Sequence, residues 1–215
     1  MKSYVITIKD LDKSVKSAQR CIDSMPEYNV QMFDAITPKD NPLNILKQKG
    51  IPSHWFEEKY SSFVNCVSAF LSHHTLWEMC VESNEEFQIF EHDAVCVGTI
   101  PRFIQYRGCV SLGQPSYGKY KTPMTLGVNP LTSKKYFPGA HAYRLKPEAA
   151  RAFIAYAKEM ARPTDVYLNI DSFPWLQEYY PWPVVARDSF TTIQNENGCI
   201  AKHNYGDKYE ILKVK

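Results

Sequence analysis

The chain has 215 residues, 44% of them hydrophobic, with 25 Lys and Arg against 23 Asp and Glu and a formal net charge of +2. That is enough apolar material for one full core, and it excludes global disorder. The near-balance of charge, with no dense Lys/Arg block, gives no electrostatic footprint for a nucleic-acid partner.

Tyr4 to Ile8 is rich in β-branched residues and reads as a buried first strand. Val15, Ala18, Ile22 and Met25 then recur at helical spacing over Lys13 to Met25, and Pro26 stops the pattern. Asn29 to Phe33 reads as a second strand with Asp34 at its carboxyl end. Thr37 to Pro52, with three prolines and Gly50, reads as an irregular connection. Phe63, Val67, Phe70, Trp77 and Val81 form one stripe of a long helix bordered by His73 and His74. Phe87 to Phe90 is a short apolar strand running straight into Glu91-His92-Asp93. Cys109 to Leu112 is a further strand, and Gly113 to Pro138 is a Pro-, Tyr- and Lys-rich loop. Ala140 to Leu145 reads as a strand. Pro147 opens a helix whose apolar face is Ala150, Phe153, Ile154, Ala157 and Ala161, and Pro163 ends it. Asp165 to Leu168 reads as a strand or a short helix, and the remainder is irregular and aromatic-rich. Strands alternating with helices, without repeat or linker, predict a single α/β domain over residues 1–215 with a mostly parallel sheet.

The six cysteines have no CxxC spacing, so zinc ribbons and thioredoxin-type sites are not supported, and a buried hydrophobic role is expected. Met1 to Ile8 runs directly into a strand pattern rather than a signal peptide. No apolar run approaches the roughly 20 residues that span a bilayer. The expectation is a cytoplasmic protein. The tail from Lys208 to Lys215 interleaves basic and apolar residues and reads as a solvated edge strand; peripheral contact with an anionic membrane surface is the alternative.

In open α/β sheets, ligands bind beyond the carboxyl ends of the strands. Glu91-His92-Asp93 stands there, and hard cations such as Mg2+ and Mn2+ bridge carboxylates to substrate phosphates. In an extended segment Glu91 and Asp93 would share a side, with His92 turned away. A solvated acidic turn is the plainer reading of the same residues. His73 and His74 read as satisfied core histidines or as ligands, and His141 in Gly139-Ala140-His141-Ala142-Tyr143 as a structural histidine or a site residue. Asp165 and Asp171 read as cap or turn residues. Neither GxGxxG, a Walker pattern nor GxSxG is present, which counts against NAD enzymes, P-loop NTPases and α/β-hydrolases.

In this order the segments resemble glycosyltransferase family 25, the lipooligosaccharide galactosyltransferases related to collagen galactosyltransferases. The resemblance is carried by Tyr4 to Ile8, Phe33-Asp34-Ala35-Ile36, Leu71-Ser72-His73 with Trp77, and Phe90-Glu91-His92-Asp93-Ala94-Val95. Gly139 to Tyr143 with the helix from Pro147, and Pro163-Thr164-Asp165, complete it. The resemblance implies a GT-A-like (Rossmann-like) α/β/α sandwich. It also implies inverting transfer of a sugar from a UDP-sugar, UDP-galactose first, to a glycan or glycolipid acceptor. By position, Asp93 would bind Mn2+ (or Mg2+), and Glu91 would bind it through water or contact the ribose. His141 would be a metal or phosphate ligand. Asp34 and His73 would lie near the nucleotide, and Lys16 or Arg20 would stand in for an Arg of the family's first helix. Asp165, then Asp171, would be the base. His92 departs from the family's acidic run. A relative that binds a nucleotide sugar or glycan without catalysis is therefore the alternative, followed by a metal-dependent phosphoryl-transfer enzyme.

Overall fold

A computed structural model describes residues 1–57, 61–187, 190–195 and 209–214. The chain runs β1 (Lys2–Thr7), α1 (Asp12–Asp23), β2 (Val30–Asp34), α2 (Pro42–Lys49), α3 (Phe63–Ser83), β3 (Phe87–Glu91), β4 (Ala94–Cys96), β5 (Cys109–Ser111), β6 (Gly127–Pro130) and β7 (Ala142–Leu145). It continues through α4 (Pro147–Ala157), α5 (Thr164–Tyr167), β8 (Gln177–Tyr180), β9 (Val184–Ala186), β10 (Phe190–Thr191) and β11 (Glu210–Ile211). Seven strands form the central sheet in the order β2-β1-β3-β7-β5-β8-β6. β1, β2, β3, β5 and β8 point one way, with β7 and β6 reversed, so the sheet is mixed and mostly parallel.

Strand residues alternate between two cores, as the pleat requires. Ile89, Tyr143 and Leu145 face α3 and α4, where Phe70, Trp77 and Phe153 are fully buried. Trp77 stacks on Tyr167 at 5.6 Å and meets Phe153 at 5.1 Å. Val5, Phe90 and Ala142 face the other way, onto Ala18, Cys21 and Met25 of the α1 segment. The result is the expected α/β/α sandwich. Four of the five described cysteines are buried as small hydrophobes; Cys199 lies outside the described residues.

Three expectations are corrected. The segment from Thr37 to Pro52 is ordered. Thr37 and Asp40 form a capping box around a 3-10 turn, and Pro42 opens α2, which Gly50 ends. The prolines and the glycine there punctuate helices rather than coil. The Gly113–Pro138 stretch contains β6, an edge strand where Pro130 costs no interior ladder bond. The aromatic-rich stretch contains β8, which enters the sheet because its inward Glu178 is fully satisfied. Glu178 Oε1 accepts from the Thr132 and Ser133 N–H groups at 2.7 Å each, and Oε2 from Trp182 Nε1 at 3.2 Å. Of the basic tail, β11 pairs with β10 as an edge ribbon, and Lys208 and Lys215 lie outside the described residues.

Candidate functional site

The carboxyl ends of β1, β2, β3 and β5 share one edge of the sheet, and a cleft opens there. It encloses about 550 Å3 including its mouth. Ile6 and Ile8 come from β1 and its exit, Ala35 to Pro38 from the exit of β2, and Ser68, Ser72 and His73 from α3; Glu91 and His92 close the floor. Ser72 fixes one wall: its hydroxyl donates to the Ser68 carbonyl at 2.9 Å and accepts the Ile36 N–H at 2.9 Å. The far wall is Thr192 and Ile193, tied to the start of α3 by Ser62 N–H to the Ile193 carbonyl at 2.7 Å and by Asn65 to the Thr192 carbonyl.

A buried relay ends on Glu91. Trp77 Nε1–H donates to the Tyr143 hydroxyl oxygen at 2.9 Å, and Tyr143 is 2.9 Å from His73 Nδ1. His73 Nε2 is 3.1 Å from Glu91 Oε1. Only one proton arrangement satisfies every buried group: Tyr143 O–H donates to Nδ1, and Nε2–H donates to Glu91. The reverse leaves the buried Tyr143 hydroxyl proton without an acceptor, which costs about 1–3 kcal/mol. Burial pushes His73 down to about 3, opposed by the charge of Asp165, so the ring is neutral. Burial and then the Asp165 charge push Glu91 up to about 8.

Asp165 therefore belongs to the same electrostatic neighbourhood as Glu91 and His73. Its Oδ1 accepts the Val166 N–H at 2.9 Å, and its Oδ2 accepts the Tyr117 hydroxyl. His141 enters from the start of β7. The Glu91 N–H donates to the His141 carbonyl at 2.9 Å, so the two residues face each other across the β3–β7 pair. The imidazole lies against Gly113, where a Cβ would stand 2.5 Å from Nε2. Neither ring nitrogen has a partner at full hydrogen-bond geometry. Burial lowers its pKa to about 4, and the nearby Val184 backbone opposes this slightly.

Among the described residues, no three His, Cys, Asp or Glu side chains form a cage for a metal ion. A cation bridging a diphosphate needs no such cage, since one or two carboxylates with substrate oxygens suffice. Glu91 fits that role: burial and then the Asp165 charge raise its pKa, a tension that a cation would relieve, and the buried His141 ring has no partner at full hydrogen-bond geometry.

Residues 1–106 match the model of glycosyltransferase family 25, described as an LPS biosynthesis protein. Over that span the chain is similar to glycosyltransferase family 25. The match runs from β1 through the cleft walls, the relay histidine and the acidic turn, and it supports a glycosyltransferase role. No curated protein matches the chain.

The other expected residues are more dispersed. His92 and Asp93 form a tight turn after β3, so the alternation of an extended chain stops at Glu91. The charge of Asp93 acts on Cys21, in the α1 core, whereas that of Glu91 acts on Tyr143. The two carboxylates thus act on different neighbours. His92 also turns toward α1, with Nδ1 3.2 Å from Ser14 Oγ and its ring stacked on Phe190 at 5.5 Å. Asp34 lies beside the cleft but outside its lining, paired with Lys9 at 2.9 Å. Lys16 and Arg20 are exposed on α1, outside the cleft lining, although the Arg20 charge reaches His92. Asp171 is 74% exposed and pairs with Lys135 at 3.9 Å, in a separate groove. His74 is core, beside Phe70 and Trp77, and pairs with Glu78. Among the described residues, no helix is long and apolar enough to cross a membrane.

Sequence reasoning missed Tyr143 as a member of the relay, although it stands two residues beyond His141 on the same strand face. Tyr117, with Tyr120, is expected from sequence only as an aromatic of the loops that would contact an acceptor, and nothing local ties it to Asp165.

Proposed function

We propose that this protein transfers a hexose from a nucleoside-diphosphate sugar, UDP-galactose first, to a hydroxyl of a glycan or glycolipid acceptor. In this reading the fold is of GT-A type, the transfer is inverting, and Mn2+ or Mg2+ assists. The observation that carries the reading is the open cleft at the strand ends whose floor terminates on the His73–Glu91 pair. A nucleoside would lie between the β2 exit and α3, where Ile36 offers backbone and Ser68 and Ser72 offer small polar side chains. Glu91 would hold the cation with His141 beside it, and Asp93 would contribute from the following turn. The cation, when bound, neutralises the charge that develops on the leaving diphosphate.

Inverting transfer requires a base for the acceptor hydroxyl. Asp165 fits better than Asp171. It neighbours Glu91, and Tyr117 and Val166 orient its two oxygens. His92, which stands in the acidic turn and bonds Ser14, favours, as a second reading, a module that binds nucleotide sugars without turnover.

Thermal melts with UDP, GDP and CMP sugars, with Mn2+ and with chelator, test this. At 100 times Kd a ligand adds about 2.7 kcal/mol to stability. Stabilisation by UDP-sugar only with Mn2+, lost in Glu91→Ala and weakened in Asp93→Ala, together with UDP release in the presence of acceptor, is the expected result. Metal-independent stabilisation without turnover supports the second reading. No response to any nucleotide sugar defeats both.

A further inference from the structure

A second groove lies beyond Asp165 and shares no lining residue with the cleft. It encloses about 1070 Å3 including its open mouth, between the Lys134–Tyr136 segment, the end of α4 and the exit of α5. Lys134, Lys135 and Arg162 line it against one carboxylate, Asp171. Lys135 has that carboxylate at 3.9 Å. Lys134 and Arg162 have no carboxylate within ion-pair distance among the described residues.

Lys134 is also placed with some care. Its ammonium stands 5.0 Å from the centre of the Tyr117 ring and 5.2 Å from that of Tyr136, and it reaches the Tyr136 hydroxyl at 3.3 Å. Gly118 makes the room, since a Cβ there would stand 2.7 Å from Nζ. A half-buried ammonium held on ring faces recovers only about 0.5–1 kcal/mol from them, less than a charge-assisted hydrogen bond to an anion would give. The wall it rests on is the one whose Tyr117 hydroxyl bonds Asp165. A ligand in the groove is therefore separated from Asp165 by one layer of tyrosine.

We propose that this groove holds the part of the acceptor remote from its reacting hydroxyl and that it takes a saccharide carrying a phosphate or carboxylate, which pairs with Lys134 and Arg162 while the sugar packs on Tyr136 and Tyr156. The acceptor role rests on the transferase reading above; the preference for an anionic saccharide does not.

Binding is measured by NMR on the whole chain, without nucleotide, using glucose, glucose 6-phosphate, glucuronate and inorganic phosphate as probes. Glucose 6-phosphate and glucuronate should shift the resonances of Tyr136, Tyr156 and Asn169, and glucose should not. Lys134→Gln and Arg162→Gln should each weaken this binding about tenfold, the scale of one lost charge-assisted contact. Asp171→Asn should strengthen it, an effect of opposite sign that a damaged fold would not produce. Shifts as large with glucose, no shift with either anionic sugar, or inorganic phosphate binding as tightly as glucose 6-phosphate would each overturn the proposal. UDP added to the same sample is followed at Ile36 and Ser72, so failure of the nucleotide reading is seen separately from failure of the groove.

Discussion

At the scale of single residues, the relay Trp77–Tyr143–His73–Glu91 decides what the cleft floor presents. Tyr143 has two tasks, accepting the Trp77 indole N–H and giving its proton to His73 Nδ1. Tyr143→Phe leaves that nitrogen and the Trp77 N–H without a partner in a buried place, and should cost about 1–3 kcal/mol in denaturant unfolding. It should also release the His73 tautomer. The ring-nitrogen NMR signals, which report a proton on Nε2 in the parent protein, should then report a mixture. An unchanged Nε2–H signal in Tyr143→Phe would mean that Glu91 alone sets the tautomer. The sequence showed His73 bordering an apolar stripe, and from there a core histidine and a ligand are indistinguishable. The partner that separates the two readings lies 70 positions away and is brought in by strand pairing alone. Glu91 was legible because a strand's apolar run ends on it. The side on which Asp93 stands was not legible, because that depends on where the turn begins.

Among the elements, β8 shows how a segment without a strand signature enters a sheet. Gln177 to Tyr180 is polar and aromatic, yet Glu178 satisfies two backbone N–H groups of the β6 exit and the Trp182 indole. Glu178→Ala leaves one buried and two part-buried donors without their acceptor and should lower stability by about 1–3 kcal/mol, seen as a reduced denaturant midpoint with an unchanged slope. A loss below about 1 kcal/mol would show that water replaces the carboxylate. The elements with apolar periodicity, β1, α1, α3, β3 and α4, were readable because their burial is written in spacing. α2 was missed because its prolines and glycine were weighed as breakers when they stand at helix boundaries. β6 and β8 were missed because a polar network, rather than apolar alternation, holds them in place.

For the molecule as a whole, the buried and part-buried ionisable groups set opposing pH slopes. His73, His92 and His141 are depressed from 6.5 to about 3, 4 and 4, each chiefly by burial. As pH falls below 6.5 the unfolded chain gains protons that the folded one refuses, so stability is lost on the way down to about 4. Glu91, raised from 4.5 to about 8, acts in the other sense. The folded protein keeps a proton that the unfolded chain has given up, and stability declines as pH rises toward 8. Three groups outweigh one below 6.5, and Glu91 acts alone above it, so the metal-free protein should be most stable near pH 6.5. Melting temperatures across pH 4 to 9 check this, and Glu91→Gln should flatten the decline on the alkaline side. The separation of cleft and groove has one more consequence. They share no lining residue, so two ligands held there would not queue for a shared doorway. Either could arrive first, and a spent nucleotide could depart while its neighbour remained seated.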